Sequence, residues 1–308
     1  MSRPLPELAG VSHSYQQVNG IQMHVAQAGD PGAEPLLMLH GWPQHWWVWR
    51  KLIPPLSERY RVICPDHRGF GWSDAPPKGY LKSELADDLL ALADALGIER
   101  FRLAGHDWGG LTGFHVCRKQ PDRVSHYAAA GISHLWVNAD EAGIGERLAL
   151  LARLWYQFLL ASPVLGRLVV QRTAFVRKLL ARAAENPQTF TEADIESFAT
   201  QWSEPDRARA SVQIYRSFIT QELRKIAKGA YRDDVLEMPG VILIGEQDPV
   251  IDAEPLRDAD ENLPNFEIRE LPGVGHFVPE EAPDEVLTAM LELYERPSPA
   301  GKAPRSSA

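Results

Sequence analysis

Cysteine is nearly absent from the chain: Cys64 and Cys117 are the only two in 308 residues. Two thiols do not make a disulfide framework, and neither sits in a metal-ligand spacing. Both read as small buried apolar residues of a protein suited to a reducing cytoplasm. Positive charge is also short, with 32 Lys and Arg against 41 Asp and Glu and a formal net charge of −9. That balance argues against nucleic acid or an anionic membrane as partner, since either calls for a basic surface. Long hydrophobic runs are missing as well. The most apolar stretch, residues 148–170, is interrupted by Arg153, Gln157 and Arg167, so no spanning helix is expected. Residues 1–20 mix Pro, Glu, Ser, His and Gln throughout, which is not the grammar of a secretory signal. No internal repeat is visible. A soluble, cytoplasmic protein is expected.

What is present is ordinary globular composition, 44% hydrophobic and 24% charged, in a length that suits one large domain or a core with an insertion. Apolar runs at Leu36-Leu37-Met38-Leu39, Arg61-Val62-Ile63-Cys64, Phe101-Arg102-Leu103-Ala104, residues 126–132 and Val241-Ile242-Leu243-Ile244 read as buried strands, and Phe266-Glu267-Ile268 as a short one. Residues 85–96 have helical spacing and stop at Gly97, a helix end in the making. Another helix should follow Asp107 and end near Pro121, and a closing helix spans 283–294. The alternation predicts an α/β fold, a mostly parallel sheet with helices on both faces. From 135 to 228 strand signals vanish and helical segments rich in Leu, Ala, Arg and aromatics take over. The division expected is therefore core (1–134), an inserted helical cap (135–228), core again (229–296) and a disordered Pro/Ser/Ala/Lys tail (297–308).

Asp107 is the central residue of Gly105-His106-Asp107-Trp108-Gly109, which leads from an apolar strand into a helix. Small residues on either side are what a sharp, strained strand-to-helix turn needs, and such a turn lifts its middle side chain out of the sheet. Asp248 follows the strand 241–244, and His276 lies in the loop Pro272-Gly273-Val274-Gly275-His276-Phe277. Alone, each is weak: an aspartate after a strand is commonly a cap or turn residue, and a histidine among glycines is often only loop. Together, in the order nucleophile, acid, histidine, they match the α/β-hydrolase arrangement. His40-Gly41-Trp42-Pro43 follows the strand 36–39, where this fold places an oxyanion loop. The Trp42 and Trp108 backbone N–H groups are the expected oxyanion donors, and His40, Pro43 and Trp108 the expected substrate contacts. Trp46, Trp47 and Trp49 read as core or lid-contact residues.

With these residues in view, the chain resembles the α/β-hydrolase-fold epoxide hydrolases over about residues 12–294. The resemblance is carried by His40 to Pro43, by Asp66-His67-Arg68-Gly69-Phe70-Gly71-Trp72-Ser73-Asp74, by 105–110, by Gly245 to Asp248 and by Gly275-His276-Phe277. The 66–74 segment is shared by several branches and departs from the usual pattern at His67. The chemistry can be argued independently. A carboxylate is already ionised at neutral pH and needs no base to attack. Attack on an sp3 carbon gives an alkyl ester that water can cleave, whereas attack on an ester would require an unfavourable anhydride. His276 then serves as base for the water, with Asp248 orienting it. The resemblance implies two cap tyrosines that protonate the opening epoxide, at the positions of Tyr156 and Tyr215. The competing reading, that both are ordinary amphipathic cap residues, carries less weight than the functional one. Tyr80, Tyr127 and Tyr231 fit less well.

Haloalkane dehalogenases are the nearest rival, since they also place tryptophan after an aspartate nucleophile. They commonly carry an asparagine after His-Gly, where this chain has Trp42-Pro43. Haloacetate dehalogenases carry an arginine after the nucleophile, where this chain has Trp108, with Leu111 one turn on. A ligand receptor of the same fold has no need of nucleophile, acid, histidine and oxyanion loop together. The expected activity is conversion of a small lipophilic epoxide and water to a vicinal diol, without metal or organic cofactor. Oligomeric state, a homodimer included, stays open.

Overall fold

The computed structural model describes residues 3–136 and 154–298. Among them eight strands form one sheet: β1 (Ser12–Val18), β2 (Ile21–Ala28), β3 (Glu34–Leu39), β4 (Tyr60–Pro65), β5 (Phe101–His106), β6 (Val124–Ala130), β7 (Gly240–Gly245) and β8 (Phe266–Leu271). The spatial order is β1-β2-β4-β3-β5-β6-β7-β8. Pairing is antiparallel for β1 with β2 and β2 with β4, and parallel from β4 to β8. Every residue of β5, β6 and β7 is buried. That explains why these segments are continuous apolar runs instead of alternating ones.

The β1–β2 hairpin is the element that sequence reading passes over. Its strands are polar and alternating, not apolar runs, so they lack the signal that marks the central strands. The signal they do carry is Asn19-Gly20. Both residues have positive φ, 44° and 77°, and Val18 pairs with Ile21 across them. A two-residue hairpin turn of this kind needs positive φ at both central positions, which Asn-Gly tolerates.

Helices α1 (Ile53–Ser57), α2 (Lys82–Ala95) and α3 (Trp108–Lys119) belong to the first part of the sheet. The α2 helix ends as its spacing predicts. Gly97 takes φ 68°, and the Gly97 and Ile98 N–H groups donate back to the Asp94 and Ala93 carbonyls at 3.0 and 2.8 Å. These two bonds close the last turn. Between β6 and β7 the described elements are all helical: α4 (Trp155–Leu160), α5 (Leu165–Gln171), α6 (Thr173–Ala183), α7 (Glu192–Thr200), α8 (Pro205–Ser217) and α9 (Leu223–Ala227). A π-helical turn, Phe218–Glu222, joins the last two. Residues 137–153 of the expected cap lie outside the described residues. After β8 come α10 (Val278–Glu281) and α11 (Pro283–Glu295), the latter packed on β6 and β7.

Ser298, placed by the sequence in a disordered tail, is bonded instead. Its hydroxyl donates to the Ser125 carbonyl at 2.8 Å and accepts from Arg100 at 2.8 Å. Residues 299–308 lie outside the described residues. Both cysteines are buried and free. No helix among the described residues is long and apolar enough to cross a membrane.

Candidate active site

Parallel pairing brings the carboxyl ends of β3, β5, β7 and β8 to one edge, and the four segments singled out in the sequence all leave from that edge. Ligands of open α/β sheets bind there. Asp107 directly follows β5 with φ 51° and ψ −125°, a conformation that side-chain-bearing residues rarely adopt. The glycines around it are required by space. A Cβ on Gly105 would lie 2.6 Å from the Gly109 carbonyl oxygen, and one on Gly109 would lie 2.3 Å from that of Leu39. The Asp107 N–H donates to the Ala130 carbonyl at 3.0 Å, and its own carbonyl accepts from Leu111 N–H at 3.1 Å, which starts α3.

The loop after β3 presses on this carboxylate. A Cβ on Gly41 would come within 2.4 Å of the Asp107 side chain. The Trp42 N–H donates to Asp107 Oδ1 at 2.7 Å. Trp42 is itself fixed, its indole N–H donating to Ser211 Oγ at 2.8 Å. The Pro43 carbonyl accepts from Gln201 and Trp202 at 2.9 and 3.0 Å, and the Trp42–Pro43 peptide is cis. His40 differs from its expected part as a substrate contact. Its ring is wholly buried, Nδ1 donates to the Gly41 carbonyl at 3.0 Å and Nε2 accepts from His67 N–H at 3.0 Å. With both nitrogens committed, it supports the loop from beneath.

Asp248 and His276 meet as a pair. Asp248 Oδ1 accepts from the Val250 and Ile251 N–H groups at 2.7 and 3.1 Å, which turns the chain after β7. Oδ2 accepts from His276 Nδ1 at 2.9 Å. A carboxylate only accepts, so this network puts the proton on Nδ1 and turns Nε2 toward Asp107, whose Oδ2 is 3.6 Å away. Burial works against a charge on His276, but Asp248 and Asp107 outweigh it and raise the imidazole to about 10. Burial likewise opposes the Asp248 charge; the His276 cation, their hydrogen bond and the two backbone N–H groups overcome it and lower its pKa.

Both expected tyrosines reach the same place. The Tyr215 ring lies edge-on to Trp42 and Trp108 at centroid distances of 5.3 and 5.4 Å. It is 6.4 Å from the Tyr156 ring. Burial, with Asp107 among the further causes, pushes both phenols above their ordinary value. Tyr80, by contrast, donates to the Pro76 carbonyl at 2.6 Å, and Tyr127 packs in the core against Phe114. Among the described residues no cluster of three or more His, Cys, Asp or Glu is placed to hold a metal ion.

A sequence profile of the alpha/beta hydrolase fold matches residues 34–283. The chain belongs to the α/β-hydrolase family. It is 30% identical over 289 residues to a soluble epoxide hydrolase of Corynebacterium sp. (strain C12), a match that covers 92% of this chain and 97% of that one. It is 28% identical to epoxide hydrolase 2 of Siraitia grosvenorii, covering 93% and 99%. The solved structure of the epoxide hydrolase CorEH without ligand superposes with a TM-score of 0.81 at 29% identity, covering 92% and 98%. The comparisons support a hydrolase.

Within this hydrolase the site has supports that the sequence does not reveal. His106 Nε2 donates to the His276 carbonyl at 3.0 Å, and burial lowers its pKa to about 4, which keeps the ring neutral. The His276 N–H donates to the Ala183 carbonyl at the end of α6 at 2.9 Å. Glu281 takes three backbone N–H groups: Gly275 at 3.0 Å, Phe277 at 2.9 Å and Glu185 at 2.7 Å. A carboxylate five residues after the histidine, in the first turn of a helix, is the signal that could have marked it. Lys82, wholly buried behind Trp108, has no signal at all; one lysine at a helix start reads as surface.

Proposed function

We propose that this hydrolase converts an epoxide and water to a vicinal diol through an alkyl ester of Asp107. Asp107 attacks an oxirane carbon, and the C–O bond to the ring oxygen breaks. Tyr215 gives that oxygen its proton, and Tyr156 donates a hydrogen bond to it. His276 then takes a proton from water, Asp248 stabilises the imidazolium, and the hydroxide attacks the Asp107 carboxyl carbon. The Trp42 N–H, already on Oδ1, and the Trp108 N–H at the head of α3 stabilise the oxyanion. The described helices between β6 and β7 act as the cap that supplies the two phenols. The substrate is small and lipophilic, held against the rings of Trp108, Trp42 and Phe218.

The observation that carries this reading is the phenol pair: Tyr215 packs on Trp42 and Trp108, Tyr156 packs on Tyr215, and both feel the field of Asp107. A carboxylate nucleophile alone suits epoxides and alkyl halides equally; proton donors beside it favour a substrate whose leaving oxygen stays attached and becomes an alkoxide. One observation favours the halide reading: the Trp108 indole N–H is buried and makes no regular hydrogen bond, only a weaker interaction with Tyr215, as expected of a halide donor. Styrene oxide and 1,2-dibromoethane distinguish the two. Diol from the first, abolished by at least ~10³-fold in Asp107→Asn, supports the epoxide reading. Bromide release without diol sinks it.

A further inference from the structure

Lys82, the first residue of α2, is wholly buried. Its ammonium donates to the Ile214 carbonyl at 2.8 Å and lies 3.8 Å from Glu222 Oε2. It sits 3.9 Å from the centre of the Trp108 ring and 5.0 Å from that of Phe218. The Lys82 backbone N–H donates to Glu222 Oε1 at 2.7 Å, and Ser217 Oγ donates to the Tyr80 carbonyl at 2.8 Å. The start of α2 is thus fastened to the turn that carries Tyr215. The π-helical widening at Phe218–Glu222 follows directly, and Glu222 lies at its end. Widened turns of this kind are frequent beside functional sites.

Stability gives no reason for this arrangement. Glu222 Oε2 has no hydrogen-bond partner, and replacing such a buried pair by apolar side chains is commonly neutral or stabilising. Electrostatics of the site does give one. Tyr215 is surrounded by influences that oppose loss of its proton, burial first, then Tyr156 and Asp107, while a hydrogen-bond contribution from the Trp108 side chain acts the other way. The Trp108 indole makes no regular hydrogen bond, yet its ring meets both groups, with the Tyr215 ring at 5.4 Å and the Lys82 cation at 3.9 Å from its centre. Burial lowers the Lys82 ammonium to about 8, with Glu222 and Asp107 holding it up, so it is charged at neutral pH.

We propose that Lys82 is a positioning residue that acts through Trp108 and Tyr215: it anchors the turn bearing Tyr215 and supplies the positive charge that offsets a phenolate there. This rests on the epoxide reading. As the Asp107–carbon bond forms and the oxirane C–O bond breaks, the Tyr215 proton moves to the ring oxygen and the negative charge of Asp107 passes to the phenolate. Cleavage of the ester by one water yields the diol and a carboxylic acid, whose proton restores Tyr215. The Lys82 cation favours the first of these steps and takes no part in proton transfer itself.

A double-mutant cycle on styrene oxide turnover tests this. Lys82→Met, similar in length and neutral, lowers kcat roughly ten- to a hundredfold, less than the full worth of a positioned general acid. In a Tyr215→Phe background the same change alters kcat by less than about twofold, because the residue it acts through is gone. Equal losses in both backgrounds, or none in either, overturn the proposal. If Lys82→Met strands Glu222 and fails to fold, Lys82→Met with Glu222→Gln removes the stranded charge and serves in its place. A second readout needs no turnover. With tyrosine labelled at Cζ, the Tyr215 carbon resonance, assigned by its loss in Tyr215→Phe, shifts on Lys82→Met, whereas that of Tyr156 stays put. An unmoved Tyr215 resonance overturns the role of Lys82. Wild type that forms no diol while the resonance moves sinks the epoxide reading and leaves Lys82 coupled to Tyr215.

Discussion

Asp107, Asp248 and His276 share charge, and that sharing has a mechanistic consequence. While Asp107 is ionised, His276 stands between two carboxylates and stays protonated to about pH 10. In the proposed cycle Asp107 loses its charge on becoming an ester, and the imidazole then loses one of the two anions that hold its proton. On that proposal the first half-reaction prepares the base for the second. Asp107→Asn imitates the esterified state. The expected outcome is a His276 pKa at least about one unit below wild type, read by imidazole nitrogen NMR; an unchanged value contradicts the coupling. The sign for stability follows from the same shift. The folded value lies above the ordinary 6.5, so the stabilisation is fully present below about pH 6.5 and is lost as pH rises through about 10.

At the scale of elements, the turn between β5 and α3 is the most constrained part of the fold. Gly105→Ala drives a methyl group against the Gly109 backbone at 2.6 Å, and a cost of about 1–3 kcal/mol is expected from the urea midpoint. Gly32 is the control: its Cβ would meet only the Asp30 carboxylate at 3.5 Å, so Gly32→Ala stays within about 1 kcal/mol of wild type. Equal costs at both positions contradict the steric account. This turn was legible in the sequence because an apolar strand and two spaced glycines point to it independently. The β1–β2 hairpin was not, since its polar alternation is weak and only Asn19-Gly20 marks it. Lys82 and Glu281 escaped for another reason. The meaning of Lys82, and of the Glu281 bond to Glu185, lies in contacts between segments distant in sequence, of which a single charged residue gives no hint; only the local Glu281 bonds to Gly275 and Phe277 had a signal in the spacing.

Across the whole molecule, the helices between β6 and β7 are tied to the sheet at the site itself. The Gly71 N–H donates to Gln201 at 2.8 Å, Arg207 and Arg209 donate to the Ser73 and Ala75 carbonyls at 2.9 and 3.1 Å, and His276 N–H reaches Ala183. Sheet edge and helices thus position complementary groups: a carboxylate, its histidine and its acid from one side, two phenols from the other. The central claim is that a covalent ester joins the two half-reactions. Intact-protein mass spectrometry of His276→Ala incubated with styrene oxide tests it most directly, because loss of the base should stop the cycle after the first step. A stable gain equal to one epoxide, located by peptide mapping on the segment bearing Asp107 and absent when Asp107→Asn is added, is the expected result. Continued diol formation with no adduct, or an adduct that survives Asp107→Asn, contradicts it.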